Sequence, residues 1–363
     1  MRNTFGNAVS ITLFGESHGP EIGVVLDGMP SGIAVDEDLI RHQLMLRRPQ
    51  GRISTARVEA DEFRIVSGVF EGRTTGTPIC ILIPNTNTRS GDYERGLPRP
   101  GHADYTASQK YRGFEDYRGG GHFSGRITAA LVAAGSIAIS ALRERDVEVG
   151  THISALASVS DRSFSDLARD VDLLKNMTFP VLSDTAAEEM RRAIEQAADE
   201  GDSVGGLLET AVIGIPAGIG EPWFDSVESM LSHALFSIPA VKGVEFGAGF
   251  DLARMRGSEA NDPFCVRDGR IETLTNRNGG INGGITNGMP ILFRCAVKPT
   301  PSIYREQDTV DPATMQPARL TLKGRHDPAI VHRARVVVDS VTALVLCDLL
   351  VQRYGNRSFT WSN

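Results

Sequence analysis

The chain is poor in cysteine and lysine and has no long apolar run, and each shortage removes a class of function. Its four cysteines, Cys80, Cys265, Cys295 and Cys347, stand far apart, with no pair at metal-ligand or redox spacing. Cys80, Cys295 and Cys347 sit in apolar runs, as reduced core thiols do, which argues against a disulfide framework or a cysteine-built metal centre. Residues 1–9 hold no apolar core of signal-peptide length, and the apolar runs 129–141 and 341–351 fall short of the roughly 20 residues that cross a bilayer. A cytoplasmic protein without a membrane partner is expected. The net charge of −7 argues against a general nucleic-acid surface. No low-complexity linker, solenoid repeat, Walker loop or dinucleotide fingerprint is present.

What the chain has instead is arginine, thirty-three against five lysines. The planar guanidinium fork matches phosphate and carboxylate geometry and keeps its charge at any relevant pH. One basic cluster, Arg47-Arg48-Pro49-Gln50-Gly51-Arg52, continues through Arg57 and follows a helix expected over residues 36–47. A helix C-terminus favours cations in any case, so solvated charge and an anion site stand level there. A second run, Arg118-Gly119-Gly120-Gly121-His122-Phe123-Ser124-Gly125-Arg126, feeds a helix expected from Thr128. A glycine-rich loop at a helix N-terminus turns backbone N–H groups toward an anion, and arginine at both ends favours that reading over a plain hinge.

Three loop segments each place a histidine among glycines and acids: Gly15-Glu16-Ser17-His18-Gly19-Pro20, Arg99-Pro100-Gly101-His102-Ala103-Asp104 and Lys323-Gly324-Arg325-His326-Asp327-Pro328. Glycine and proline keep these runs out of helix and strand interiors, on loops where rigid scaffolds present chemistry. A lone loop histidine is more often a hydrogen-bonding fixture than a catalyst. His18 and His102 depart from that rule, because each has a glycine neighbour and an acid two residues away, a setting that suits proton delivery near neutral pH. His42, His152, His233 and His332 lack such settings and read as structural. Asp327, beside Arg325 and His326, could orient a base or accept a proton, a salt-bridged turn being the plainer reading.

Alternating or β-branched runs predict strands over residues 8–14, 22–26, 63–70, 77–83, 206–215 and 289–297. Helical spacing predicts helices over 36–47, 128–143, 183–198, 226–236 and 340–353, with Asp36 and Ser183 as N-caps. The irregular alternation of strands and helices, with long glycine-rich connections such as residues 278–284, points to an α+β layered fold rather than a doubly wound sheet.

Together with Lys242-Gly243-Val244-Glu245-Phe246-Gly247 and Lys298-Pro299-Thr300-Pro301-Ser302, these segments resemble chorismate synthase, in the family's order and from about residue 1 to about residue 354. The resemblance implies a single domain over residues 1–363 with a β-α-β sandwich core, a short flexible tail of about nine residues, and a homotetramer. It implies an anti 1,4-elimination of phosphate from 5-enolpyruvylshikimate 3-phosphate, assisted by reduced FMN without net redox change. By the same resemblance His18 protonates the leaving phosphate, His102 protonates or stabilises the reduced flavin, and Asp327 tunes proton transfer at the flavin, with Ser17 and Ser124 in the relay. Flavin contacts are implied at His122, Phe123, Ser124, Pro239, Ala240, Gly283, Lys298, Pro299, Thr300, Pro301, Ser302 and Arg325. Arg48, Arg52, Arg126 and Arg112 are implied to meet substrate or, in some members, NADPH.

The match has departures. Many members read Gly-Gly-Gly-Arg-Ser-Ser-Ala-Arg where this chain has Gly119-Gly120-Gly121-His122-Phe123-Ser124-Gly125-Arg126, which loses one arginine and one serine. Pro239 and Ala329 replace a usual Asn and Cys. A flavin-dependent oxidoreductase and a non-catalytic flavin or phosphometabolite binder are the competing readings. Without a dinucleotide fingerprint, the flavin is expected to be reduced by an outside reductase.

Overall fold

The computed structural model describes residues 3–49, 51–55, 59–87, 96–322, 326–357 and 359. One antiparallel sheet sets β1 (Thr4–Phe5), β2 (Ser10–Gly15), β3 (Glu21–Asp27), β7 (Ile79–Pro84) and β4 (Arg64–Ser67) side by side. A second sets β11 (Val241–Phe246), β16 (Ile291–Val297), β10 (Gly206–Ile213), β8 (Glu148–Leu156) and β9 (Val159–Ser160). Separate two-stranded ribbons pair β5 (Val69–Phe70) with β6 (Arg73–Thr74), β12 (Phe264–Arg267) with β13 (Arg270–Thr273), β14 (Ile281–Asn282) with β15 (Ile285–Thr286), and β17 (Gln307–Asp311) with β18 (Gln316–Leu320).

Between the two large sheets lie two helices, α3 (Thr128–Arg143) on β3 and β7, and α8 (Val331–Tyr354) on β8 and β10, packed against each other. Period-two burial supplies one wall: Ile79, Ile81 and Ile83 of β7 and Ile22, Val24 and Leu26 of β3 are buried. Each such fully buried aliphatic side chain contributes roughly 1.5–3 kcal/mol. The helices meet at small residues, since a Cβ on Gly135 would come within 2.2 Å of the Ser340 Cβ. Only glycine allows that crossing. The expected α+β sandwich is thus the observed one.

The remaining helices surround this core. α1 (Glu37–Arg47) packs on α3 and α8, and α6 (Val227–Ser237) on α8 and β11. α4 (Leu167–Leu174) covers the other face of β8, where Gly150 lets Val171 approach, while the neighbouring Thr151 bonds Asp339 of α8 on the opposite face. α2 (Asp104–Tyr111), α5 (Asp184–Asp199) and the one-turn α7 (Gly257–Ala260) complete the set. Asp36 and Ser183 do cap their helices, accepting from the N–H groups of Leu39 and Ala186. Buried Asp348 of α8 accepts the N–H groups of Asn7, Ala8 and Val9 at 3.0, 2.7 and 2.9 Å, which fixes the entry into β2 and the His18 loop beyond it.

Three expectations change. The strand over 63–70 is broken by a register shift between Ile65 and Ser67 and by Gly68 at φ +80°. The helix expected from 340 begins at Val331, because its first turns bury charged residues that pair. The stretch Gly125–Arg143 is long and apolar enough to cross a membrane by length and composition, yet most of it is buried within the protein, as a core helix is. Beyond α8, Gly355–Arg357 form a 3-10 turn and Phe359 is buried.

Candidate active site

The His18 turn leaves β2 at Gly15, whose φ of +97° needs glycine. Asn85 donates its side-chain amide to the carbonyls of Glu16 and Gly19 at 3.0 and 2.8 Å, holding the turn closed, and Ser17 and His18 are buried. Two further bonds tie it to the glycine-rich loop: Ser17 N–H donates to the Gly121 carbonyl at 3.0 Å, and His122 Nδ1 lies 2.8 Å from the Gly15 carbonyl. A carbonyl only accepts, so the His122 proton sits on Nδ1 and Nε2 is left for the cavity.

Gly119 and Gly120, at φ +60° and +82°, each abut one of the two singled-out histidines. A Cβ on Gly119 would fall 2.6 Å from His18 Nε2, and one on Gly120 would fall 3.2 Å from His102 Cε1. Consecutive residues of one loop therefore set the positions of both imidazoles. The loop continues through Ser124, whose Oγ accepts the Arg126 N–H at 3.2 Å, into the turn Gly125–Ile127 and α3.

His102 sits in a second knot. Its Nδ1 lies 2.7 Å from Asp104 Oδ1 and 3.0 Å from Arg99 Nη2, and Arg99 also grips both Asp104 oxygens at 2.7 Å. Burial would raise the Asp104 carboxyl, but Arg99 and His102 outweigh it and hold it well below the usual carboxylate range. Lys298 donates its ammonium to the Gly101 carbonyl, and Arg99 reaches Ser302 Oγ at 3.4 Å, so the 298–302 loop is sewn to the His102 loop.

These loops open on a cavity of about 840 Å³. Its lining includes the apolar Ile11, Leu13, Leu131, Val341 and Leu344 and the cationic Arg47, Arg48, Arg126, Lys242, Lys298 and Arg333. Arg47 and Arg126 share the buried carboxylate of Asp61: Arg47 donates at 2.9 Å, and Arg126 donates to its other oxygen. Burial raises the Asp61 carboxyl, yet the two arginines outweigh it and hold it below its ordinary value. Arg48 Nε is 3.8 Å from Asp61, and the Nε atoms of Arg47 and Arg48 have no hydrogen-bond partner among the described residues. Asp327 accepts from Thr55 N–H at 2.9 Å and from Arg333 at 2.5 Å.

Of the residues singled out in the sequence, His102, His122, Phe123, Ser124, Arg48, Arg126 and Asp327 line this cavity, as do Pro239, Ala240, Lys298, Thr300, Pro301 and Ser302. Ser17 and His18 lie outside the lining, against Gly119, which is part of it. Gly283, in the β14–β15 turn, Pro299, and Arg112, just past α2, lie outside the lining. Arg325, Arg57 and the side chain of Arg52 lie outside the described residues. Sequence reasoning missed Asp61 and Arg333, and it left as structural His233, whose ring is part of the lining and stands edge-on to Phe5 at 4.9 Å. Arg99, Lys242 and His326 were signalled only by their places in the quoted motifs.

Residues 9–351 match the family model described as chorismate synthase. The chain belongs to the chorismate synthase family. It is 46% identical over 350 residues to the chorismate synthase of Thermococcus kodakarensis, covering 96% of this chain and 97% of that one. Identity to the chorismate synthase of Aeropyrum pernix is 48% over 358 residues, 97% and 93% of the two chains. A crystal structure of chorismate synthase superposes with a TM-score of 0.77 at 28% identity, over 97% of this chain and 94% of that one. Chorismate synthases are lyases, and the α+β sandwich described above is shared with that crystal structure.

Proposed function

We propose that the cavity binds reduced FMN and 5-enolpyruvylshikimate 3-phosphate and eliminates phosphate to give chorismate. The observation that carries this reading is one cavity lined by the His102 imidazole and by Arg47, Arg48 and Arg126, with the His18 imidazole against Gly119 of the same lining. A flavin fits the residues present. The cavity is near the upper end of the usual range for small-molecule sites, its lining includes enough apolar side chains for a ring system, and the buried Thr300 Oγ1 has no hydrogen-bond partner among the described residues. Lys298, Ser302 and His122 Nε2 would hold its polar groups, with Phe123 against the ring.

Reduced FMN, when bound, supplies the transient electron density that eases phosphate loss. The chain supplies the rest. Arg48 and Arg126 would hold the anionic substrate, in a site where fixed positive charge counts for more than in water. His18 would pass a proton to the oxygen of the departing phosphate, and His102 would hold one at the flavin. Asp327, with each oxygen already accepting one hydrogen bond, still has lone pairs to orient a proton there. We also infer a single domain acting as a cytoplasmic homotetramer, with flavin reduced by an outside enzyme. The test is stoichiometry: chorismate and phosphate should appear one to one, with far more product than flavin and no matching NADPH oxidation. Product tied to NADPH consumption would favour an oxidoreductase.

A further inference from the structure

Asp104 and Arg99 take no part in the steps above, yet they enclose the inner nitrogen of His102. We propose that Asp104 is a positioning residue that fixes His102 as the Nδ1–H tautomer and keeps Nε2 free toward the cavity, with Arg99 locking the carboxylate in place. This rests on the reading of His102 as a proton-transfer group.

The argument is one of donors and acceptors. Nδ1 faces a carboxylate oxygen at 2.7 Å and a guanidinium nitrogen at 3.0 Å. If Nδ1 were bare, its lone pair would point at an anionic oxygen at that closer distance. If it carries the proton, it makes a charge-assisted bond to Asp104, and the Arg99 Nη2 donor is already turned to the same Oδ1 at 2.7 Å. The nearer, oppositely charged partner decides. On the outer edge, the ring lies against Gly120, where a Cβ would come within 3.4 Å of Nε2, and His102 is part of the cavity lining.

The arrangement dictates what Asp104→Asn does. Oδ2 accepts from Arg99 N–H at 3.0 Å and Nε at 2.7 Å, whereas Oδ1 faces Arg99 Nη2 and His102 Nδ1. The amide nitrogen therefore takes the Oδ1 place, which faces one Arg99 donor, rather than the Oδ2 place, which faces the Arg99 backbone N–H and Nε, and it donates to Nδ1. The proton moves to Nε2.

Selective 15N-histidine labelling with two-bond 1H–15N correlation reads the tautomer in the resting protein, independently of turnover. The wild type should show His102 as the Nδ1–H form and Asp104→Asn as the Nε2–H form. The asparagine variant should lose about 10- to 100-fold in kcat with KM changed less than about threefold, the range seen when an orienting partner is removed. Asp104→Glu should recover part of the loss. A wild-type His102 in the Nε2–H form, or an asparagine variant with unchanged tautomer and kcat, overturns the proposal. The wild-type spectrum alone tests it if the variant does not fold. Loss of the elimination in the wild type, with the Nδ1–H tautomer present, would instead count against the function proposed for the site.

Discussion

Asp61 lies between Arg47 and Arg126 at the wall of the cavity, and His152 lies between Asp161 and Glu209 on the α4 side of the second sheet. Both are buried ionic clusters, and they differ in how far they are satisfied. Each ring nitrogen of His152 has a carboxylate at 3.0 or 2.9 Å, and Asp161 also accepts the N–H groups of Leu182 and Ser183. At the cavity, three guanidinium groups converge on Asp61, and the Nε atoms of Arg47 and Arg48 go without hydrogen-bond partners among the described residues. A saturated cluster can only support the fold. One with surplus cation charge facing a cavity keeps a positive potential that an anionic ligand can use.

The largest effect expected from breaking this contrast is that of Asp61→Asn. It leaves Arg47 and Arg126 buried without their shared charge, and removing one partner of such a cluster costs about 3–5 kcal/mol. Chemical denaturation should show that loss together with weakened activity, and a variant as stable as the wild type would mean the arginines are solvated in solution.

His152→Gln should be milder, about 1–3 kcal/mol, with kcat and KM within about twofold of wild type. Burial alone would lower the His152 pKa, but Asp161 and Glu209 outweigh it and raise it. The stability it confers is therefore complete below the unfolded value near pH 6.5 and is lost as pH rises through the raised folded value. Asp161 is shifted down despite the opposing pull of burial, so its share is present above about pH 4 and lost only in stronger acid. The gap between wild type and His152→Gln should be wider at about pH 6 than at about pH 9. A gap that widens with rising pH would show that the ring is neutral in the fold.

The smallest effect on stability belongs to Arg48→Gln, whose side chain is 32% exposed at the cavity edge. Its stability should change by less than about 0.5 kcal/mol, while KM for the phosphorylated substrate rises about tenfold. A stability loss without a KM change would make Arg48 part of the fold rather than of the site.

Much of the layering was legible from local pattern. β7 and β3 alternate or run apolar over a whole strand, and α3 is apolar all round. β8 was not legible, because Thr151 and His152 are polar residues buried by partners that only the fold supplies. The first turns of α8 hid for the same reason: Arg335 and Asp339 read as solvent-facing but pair with each other inside the core. In the site, glycine and proline announced the histidine loops. Asp61 could not be announced, since it sits between Glu59 and Glu62 like an exposed acid and meets arginines 14 and 65 residues away.

The most direct test of the account is anaerobic phosphate release from 5-enolpyruvylshikimate 3-phosphate with substoichiometric, chemically reduced FMN, comparing the wild type with His18→Ala and His102→Ala. Many turnovers per flavin in the wild type, with losses of about 10²- to 10⁴-fold in both folded variants, are predicted. No release despite tight flavin binding, or variants that turn over at the wild-type rate, would contradict it.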